Sequence, residues 1–228
     1  MKLANSRAGS GSAKDKSGPD PASLRPSLIY YFNGFNSAIP EDWSDNEKIV
    51  AIEEYAAARD LGFVPYTVNY RHAREHAAEI LRRLADDTLE QVVFSGSSMG
   101  GWFARVMQLL LARQRPGLPV EALAFNPAFD LGLHGHMLLG PQVNFVTLEE
   151  YEWTEADSAK LKQLEQSVDY DAPLPFFVYV DKGDEVIGWE HSAARHGSIA
   201  RFLAFEGGSH SFEHSREALR DFDLARSH

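Results

Sequence analysis

The sequence predicts an α/β protein built on a mostly parallel sheet. From Leu28 onward, short runs rich in β-branched and aromatic residues alternate with longer amphipathic stretches, the pattern of βαβ units. The chain has 228 residues, 44% of them hydrophobic and 24% charged, so it can bury a sizeable core and is expected to form one domain. No internal repeat interrupts the alternation.

Residues 1–27 are dominated by Ser, Gly, Ala, Pro, Lys and Asp and hold few large apolar side chains. Such a segment cannot bury enough apolar area to offset its chain entropy, and a disordered tail is expected. The single domain is then residues 28–228. Six strands are expected in it: 28–32 (LIYYF), 64–70 (VPYTVNY), 91–96 (QVVFSG), 120–125 (VEALAF), 176–180 (FFVYV) and 200–205 (ARFLAF). Helices are expected at Asp45–Arg59, Ala73–Ala85, Gly101–Arg113 and Phe212–Leu224. About fifty residues separate the fourth strand from the fifth, far more than an ordinary connection. This insertion, about 127–172, is apolar and Gly-rich from Pro127 to Val146, then acidic and helical in period from Leu148 to Ser167. A small lid or substrate pocket over the sheet is its expected role, against the alternative of a surface helix pair.

Composition removes several function classes. The chain carries 22 Lys and Arg against 33 Asp and Glu, a formal charge of -11. Five of those basic residues but only two acids lie in residues 1–27, which leaves 17 against 31, or -14, in the remainder. That sign disfavours a phosphate backbone or an anionic bilayer, so neither nucleic acid nor membrane is an expected partner. With no cysteine there is no disulfide, thiolate zinc site or thiol nucleophile. No apolar run reaches the roughly 18 residues of a membrane span, no signal-peptide core is present, and a cytoplasmic location is expected.

The strongest chemical signal is FSGSSMGG, where Gly96, Ser98 and Gly100 fit G-x-S-x-G between an apolar strand and an amphipathic helix. A sharp strand-to-helix turn would present Ser98 at the sheet's carboxyl edge, with chains passing so closely that only Gly fits at 96 and 100. The N–H of Met99 would then face an incoming carbonyl oxygen, helped by the positive end of the following helix. Serine needs a base and an orienting acid, in the chain order Ser, Asp or Glu, His. Asp184, in the turn DKGDEVI after the fifth strand, and His210, in EGGSHSF after the last, stand where these are expected. Asp181, Glu185 and Asp130 are rivals for the acid. His214, His191 and His196 read as solvated surface residues. The loop after the first strand reads NGFNS, and the N–H of Phe35 is the candidate second oxyanion donor, with Gly34 permitting close approach. A competing motif, HAREH, offers His72, Glu75 and His76 as H-x-x-E-H zinc ligands, with Glu149 or Glu150 as a third. Its place directly after a strand and the basic residues around it favour a solvated helix start, and neither metal nor other cofactor is expected.

Together, YYFNGFNS, NYRHA, GSSMGG, FNP at 125–127, GDEV at 183–186 and GGSH at 207–210 resemble the small bacterial YqiA/YcfP-like esterases over essentially residues 28–224. The resemblance implies a compact α/β-hydrolase fold with sheet order 2-1-3-4-5-6, helices on both faces, and a carboxylesterase triad of Ser98, Asp184 and His210. One departure is that the family's usual His-Gly-Phe after the first strand is Asn33, Gly34, Phe35 here. The expected function is hydrolysis of a small acyl ester through an acyl-enzyme. Short chains are expected, because the insertion is too polar in its second half for a long lipid tunnel. An acyl-CoA thioesterase on the same triad and a non-catalytic binding module are the alternatives. Because the base must be neutral, activity is expected to rise through roughly pH 6–7.

Overall fold

The computed structural model describes residues 26–85 and 88–226, so most of the expected tail, residues 1–25, lies outside the described residues. Six strands form the central sheet: β1 (Ser27–Phe32), β2 (Gly62–Tyr66), β3 (Gln91–Ser97), β4 (Val120–Phe125), β7 (Phe176–Asp181) and β8 (Arg201–Phe205). All neighbouring pairs are parallel and the order is β2-β1-β3-β4-β7-β8, which is the expected 2-1-3-4-5-6 in the sheet's own count. The register sets Phe32 beside Gly96, Ser97 beside Phe125 and Asp181 beside Phe205. The loops that follow these strands therefore leave from one edge, the carboxyl edge, which is where ligands meet open α/β sheets.

Alternation along each strand feeds two cores. Leu28, Tyr30, Phe32, Val92, Phe94, Ala122, Ala124 and Val178 face helices α2 (Ala73–Arg83), α3 (Met99–Gln114) and α5 (Glu155–Glu165). Ile29, Tyr31, Val93, Leu123, Phe177 and Tyr179 face α1 (Glu47–Ala58) and α7 (Ser215–Arg226). Burying a side chain such as Phe222, which packs edge-on against Phe177 at 4.7 Å between ring centres, contributes about 1.5–3 kcal/mol. The centrally placed α3 is buried almost all round, Arg105 and Gln108 included. Arg105 donates to the carbonyls of Tyr170 (2.9 Å) and Ala172 (2.5 Å) and to Gln108 Oε1 (2.6 Å), tying the chain before β7 to this helix.

Several elements differ from expectation. The second strand covers 62–66 rather than 64–70, because Asn33 accepts the Val68 N–H at 2.7 Å and Asn69 caps a 3₁₀ turn, Tyr70–His72, instead of continuing the ladder. Pro65 sits without conflict in this edge strand. Within the insertion, a short helix α4 (Leu131–His134) precedes an antiparallel hairpin of β5 (Gly140–Val143) and β6 (Glu150–Trp153). Residues 150–153 are thus strand where helical period was expected. The helix α5 begins only at a capping box, in which Thr154 and Asp157 satisfy each other's backbone N–H groups. A further helix, α6 (Trp189–His196), follows β7. Among the described residues no helix is long and apolar enough to cross a membrane.

Candidate active site

Ser98 stands between β3 and α3 with φ 56° and ψ −124°, a conformation that L-residues seldom adopt outside tight functional turns. Its N–H donates to the Phe125 carbonyl at 3.0 Å, and its own carbonyl accepts from Gly101 and Ala128. The two flanking glycines are needed for separate contacts. A Cβ on Gly96 would collide with the backbone of Gly100, and one on Gly100 with the carbonyl of Phe32. A larger residue at either place would push the turn off the sheet edge.

The turn after β7 and the loop after β8 meet this serine. Asp184 is buried, and its Oδ1 accepts the N–H groups of Val186 and Ile187, each at 2.8 Å. Both of its oxygens lie 3.0 Å from His210 Nδ1, while His210 Nε2 lies 3.2 Å from Ser98 Oγ. The structure therefore brings Ser98, His210 and Asp184 into one chain of hydrogen bonds that starts at a half-buried serine and ends at a buried carboxylate. The rival acids are engaged elsewhere. Asp181 pairs with His214 Nδ1 at 2.7 Å, Asp130 with Arg195 at 2.9 Å, and Glu185 accepts the backbone N–H of His210 at 3.0 Å. Two backbone N–H groups hold the exposed Glu185 carboxyl below its usual range.

The loop carrying His210 is tied down by residues outside the triad. Asn126, with φ 40°, accepts the Asp181 N–H at 2.8 Å and donates to the Ser209 carbonyl at 2.8 Å. Asp181, fully buried at the end of β7, also accepts the Glu213 N–H at 2.7 Å. His214 is thus a half-buried partner of Asp181 rather than a solvated residue. His196 corrects the same expectation more strongly. It is fully buried among Phe129, Tyr170 and Phe176, its Nε2 has no hydrogen-bond partner, and burial pushes its pKa down to about 4.

The loop after β1 comes up against Ser98. A Cβ on Gly34 would lie 3.4 Å from the Ser98 Cβ and 3.9 Å from its Oγ, so Gly34 borders the space in front of Ser98; Phe35 follows it in the loop, and Met99 opens α3 directly after Ser98. Asn33 holds this loop, donating to the Ser37 carbonyl at 2.7 Å while accepting from Val68. The insertion docks on the same loop. Phe35 packs edge-on against Trp153 at 5.2 Å, Asn36 donates to Gln142 at 2.7 Å and accepts from Tyr151, and the Phe145 N–H donates to the Asn36 carbonyl at 2.7 Å. Between them lies a cavity of about 150 Å³ lined by Phe35, Asn36, Asn69, Arg71, Asn144 and Tyr151 among others. Leu133, Met137, Phe145 and Leu148 of the insertion, and Val186 of the turn after β7, are exposed.

The H-x-x-E-H stretch is taken up by structure. His72 precedes α2 and makes no capping bond, whereas both ring nitrogens of His76 are engaged, by Tyr66 Oη at 2.9 Å and by the Asn69 N–H at 3.3 Å. Among the described residues, no three His, Asp or Glu side chains are grouped to hold a metal ion.

Comparison with known proteins agrees with this architecture. The uncharacterised protein family UPF0227 matches residues 28–222, nearly the whole sheet-forming part of the chain. Among similar solved structures is Est1E from Butyrivibrio proteoclasticus with bound ferulic acid, at TM-score 0.61 and 13% identity, covering 91% of this chain and 92% of that one. Mouse alpha/beta hydrolase domain-containing protein 10 gives 0.59 and 18%, covering 90% and 92%. A monoacylglycerol lipase from Paleococcus ferrophilus gives 0.56 and 13%, covering 87% and 93%. At these identities the likeness shows the fold, which is that of the α/β hydrolases. A search of curated proteins gave no match. The chain belongs to family UPF0227, the YqiA/YcfP-like group.

Proposed function

We propose that this member of UPF0227 is a serine carboxylesterase acting on small acyl esters. The observation that carries the reading is the hydrogen-bonded chain from Ser98 Oγ through His210 to Asp184, at 3.2 Å and 3.0 Å, on the carboxyl edge of the sheet. In this reading Ser98 Oγ attacks the acyl carbon as His210 Nε2 takes its proton, and Asp184 holds the imidazole in the needed tautomer. The N–H groups of Met99 and Phe35 receive the oxyanion. Collapse of the tetrahedral species breaks the ester C–O bond, and the departing alkoxide takes the proton from His210. Water then attacks the acyl-enzyme, giving its proton to His210, and the carboxylic acid leaves as Ser98 recovers its hydrogen. No step needs a metal or an organic cofactor.

Two further observations support the reading. Solved structures of the same fold include one named as an esterase domain, from a Rhodothermus marinus protein, and one named as a monoacylglycerol lipase. The cavity beside Phe35, about 150 Å³, is lined by the loop that abuts Ser98 and by no residue of the triad; it is smaller than the roughly 300–1,000 Å³ of sites for drug-sized ligands, which favours a small group there. The docked insertion borders that cavity and serves as its lid. Hydrolysis of p-nitrophenyl esters of increasing chain length by the wild type and by Ser98→Ala tests both parts. Turnover that is greatest for short chains and lost in Ser98→Ala is expected. Turnover that survives in the variant overturns the nucleophile, and a rate that climbs steadily with chain length overturns the short-chain assignment.

A further inference from the structure

Lys48 lies in the first turn of α1, where a cation opposes the positive end of the helix. The placement is costly by itself, and its compensation is found outside the helix. Lys48 Nζ donates to Ser97 Oγ at 2.8 Å and to the Ser211 carbonyl at 2.6 Å. Ser97 immediately precedes Ser98, and Ser211 immediately follows His210. One ammonium thus spans the end of β3 and the base loop, which are more than a hundred residues apart in sequence. The other ties on the base loop, from Asn126, Asp181 and Glu185, reach only that loop or the neighbouring ends of β4 and β7. Asn46 caps the helix by accepting the Ile49 N–H at 3.2 Å, so the turn that carries Lys48 is itself fixed.

We propose that Lys48 is a positioning residue, setting the distance between Ser98 Oγ and His210 Nε2 by bonding to the residue next to each. The inference rests on the reading of Ser98 and His210 as nucleophile and base. The separation it governs, 3.2 Å, is at the long end of a hydrogen bond, where a small displacement of either loop breaks contact. Burial pushes the Lys48 pKa down to about 8, against the opposing pull of the Asp181 carboxylate, so the group remains predominantly charged at pH 7.

The test compares Lys48→Met, Lys48→Arg and Ser97→Ala with the wild type at pH 7 on p-nitrophenyl acetate, with thermal melting to establish folding. Misplacement of a catalytic pair by about 1 Å costs on the order of 10²-fold, so Lys48→Met is expected to lower kcat about 10–100-fold with KM changed less than about twofold. Lys48→Arg, which keeps a cation able to donate to both acceptors, is expected to recover a large part of the loss. Ser97→Ala removes one acceptor and leaves the helix docked, and a fall of about 3–10-fold is expected. A helix tie with no part in positioning would lower the melting temperature and leave kcat alone, which overturns the proposal. So does a rise in KM with kcat intact. If Lys48→Met does not fold, an unchanged kcat in Ser97→Ala overturns the proposal on its own. Uptake of a fluorophosphonate at Ser98 separates the two levels. A labelled wild type with unaffected variants removes this inference alone, whereas an unlabelled and inactive wild type removes the esterase reading and the inference with it.

Discussion

The two edges of the sheet hold opposite kinds of surface. At the carboxyl edge the chain bends into left-handed backbone at Asn36, Ser98, Asn126 and Asp130, and again at Phe212 in the base loop, all with φ between 40° and 61°. Each such residue costs of the order of 1–3 kcal/mol unless its surroundings hold it. Here side chains from distant segments do so: Asn33, Asn126, Asp181 and Lys48 each bridge loops that leave different strands. The amino edge contains two roomier hollows, of about 560 Å³ and 630 Å³, lined by segments such as 114–121 and 174–175, and a third of about 600 Å³ lies between α1 and α7. No bridged and strained cluster of this kind accompanies them among the described residues. Under the proposed esterase reading, volume and chemistry are separated in this molecule, and convergence of strained, hydrogen-bonded loops marks the candidate site better than the size of a depression does.

That contrast can be broken most severely at the triad. Asp184→Asn keeps the shape of the acid turn but removes the charge that orients His210, and kcat is expected to fall about 10³–10⁴-fold in a folded protein. Steady-state kinetics beside a melting curve checks it, and a loss under tenfold would mean that Asp184 does not orient the base. Next in size is Asn126→Ala, which deletes the bonds to Asp181 and Ser209 and leaves a non-Asn residue at positive φ. It is expected to lower kcat about 10–100-fold and stability by about 1–3 kcal/mol, read from the same assay and from urea unfolding.

A smaller effect comes from a histidine away from the site. His196 has a folded pKa of about 4 against roughly 6.5 in an unfolded chain, so the unfolded state binds its proton first as the pH falls. Stability is therefore lost between about pH 6.5 and 4 and levels off below that, by about 3 kcal/mol for this one group. His196→Phe suits the aromatic surroundings and removes the unpartnered Nε2. Unfolding curves from pH 7 to 4 should run flatter in the variant than in the wild type, with kcat at pH 7 unchanged. Parallel curves would show that His196 is not held neutral. The smallest effect is expected at the amino edge, where Gln114→Ala, on an exposed rim of one large hollow, should leave kcat unchanged and stability within about 0.5 kcal/mol. A tenfold loss there would return function to the larger hollows.

How much of this is legible in the sequence follows from the range of the interactions. The six strands of the sheet and the turn at Ser98 can be read because each rests on local pattern: an apolar run, two glycines, a strand before and a helix after; the order of the strands comes with the family resemblance. Asp184 and His210 can be read because each follows a strand in a Gly-containing loop. What stays hidden depends on partners far away in the chain. The end of β2 is decided by Asn33, 35 residues from the Val68 N–H that it takes. The hairpin of β5 and β6 is stabilised by docking on Asn36, over a hundred residues away. Lys48 looks like a solvated charge in a helical pattern, and Arg105 like the polar face of α3, until the acceptors that hold them are seen. His196 reads as surface because a histidine in a polar stretch gives no sign of the aromatic residues that enclose it.

The most direct test of the account is the rate and site of covalent capture by a fluorophosphonate, measured by mass spectrometry of the intact and digested protein. The account predicts one adduct, on Ser98, formed quickly in the wild type and at least about 10²-fold more slowly in His210→Ala, because an unassisted serine hydroxyl is a weak nucleophile. An adduct on another residue, or an equal rate in His210→Ala, would contradict it.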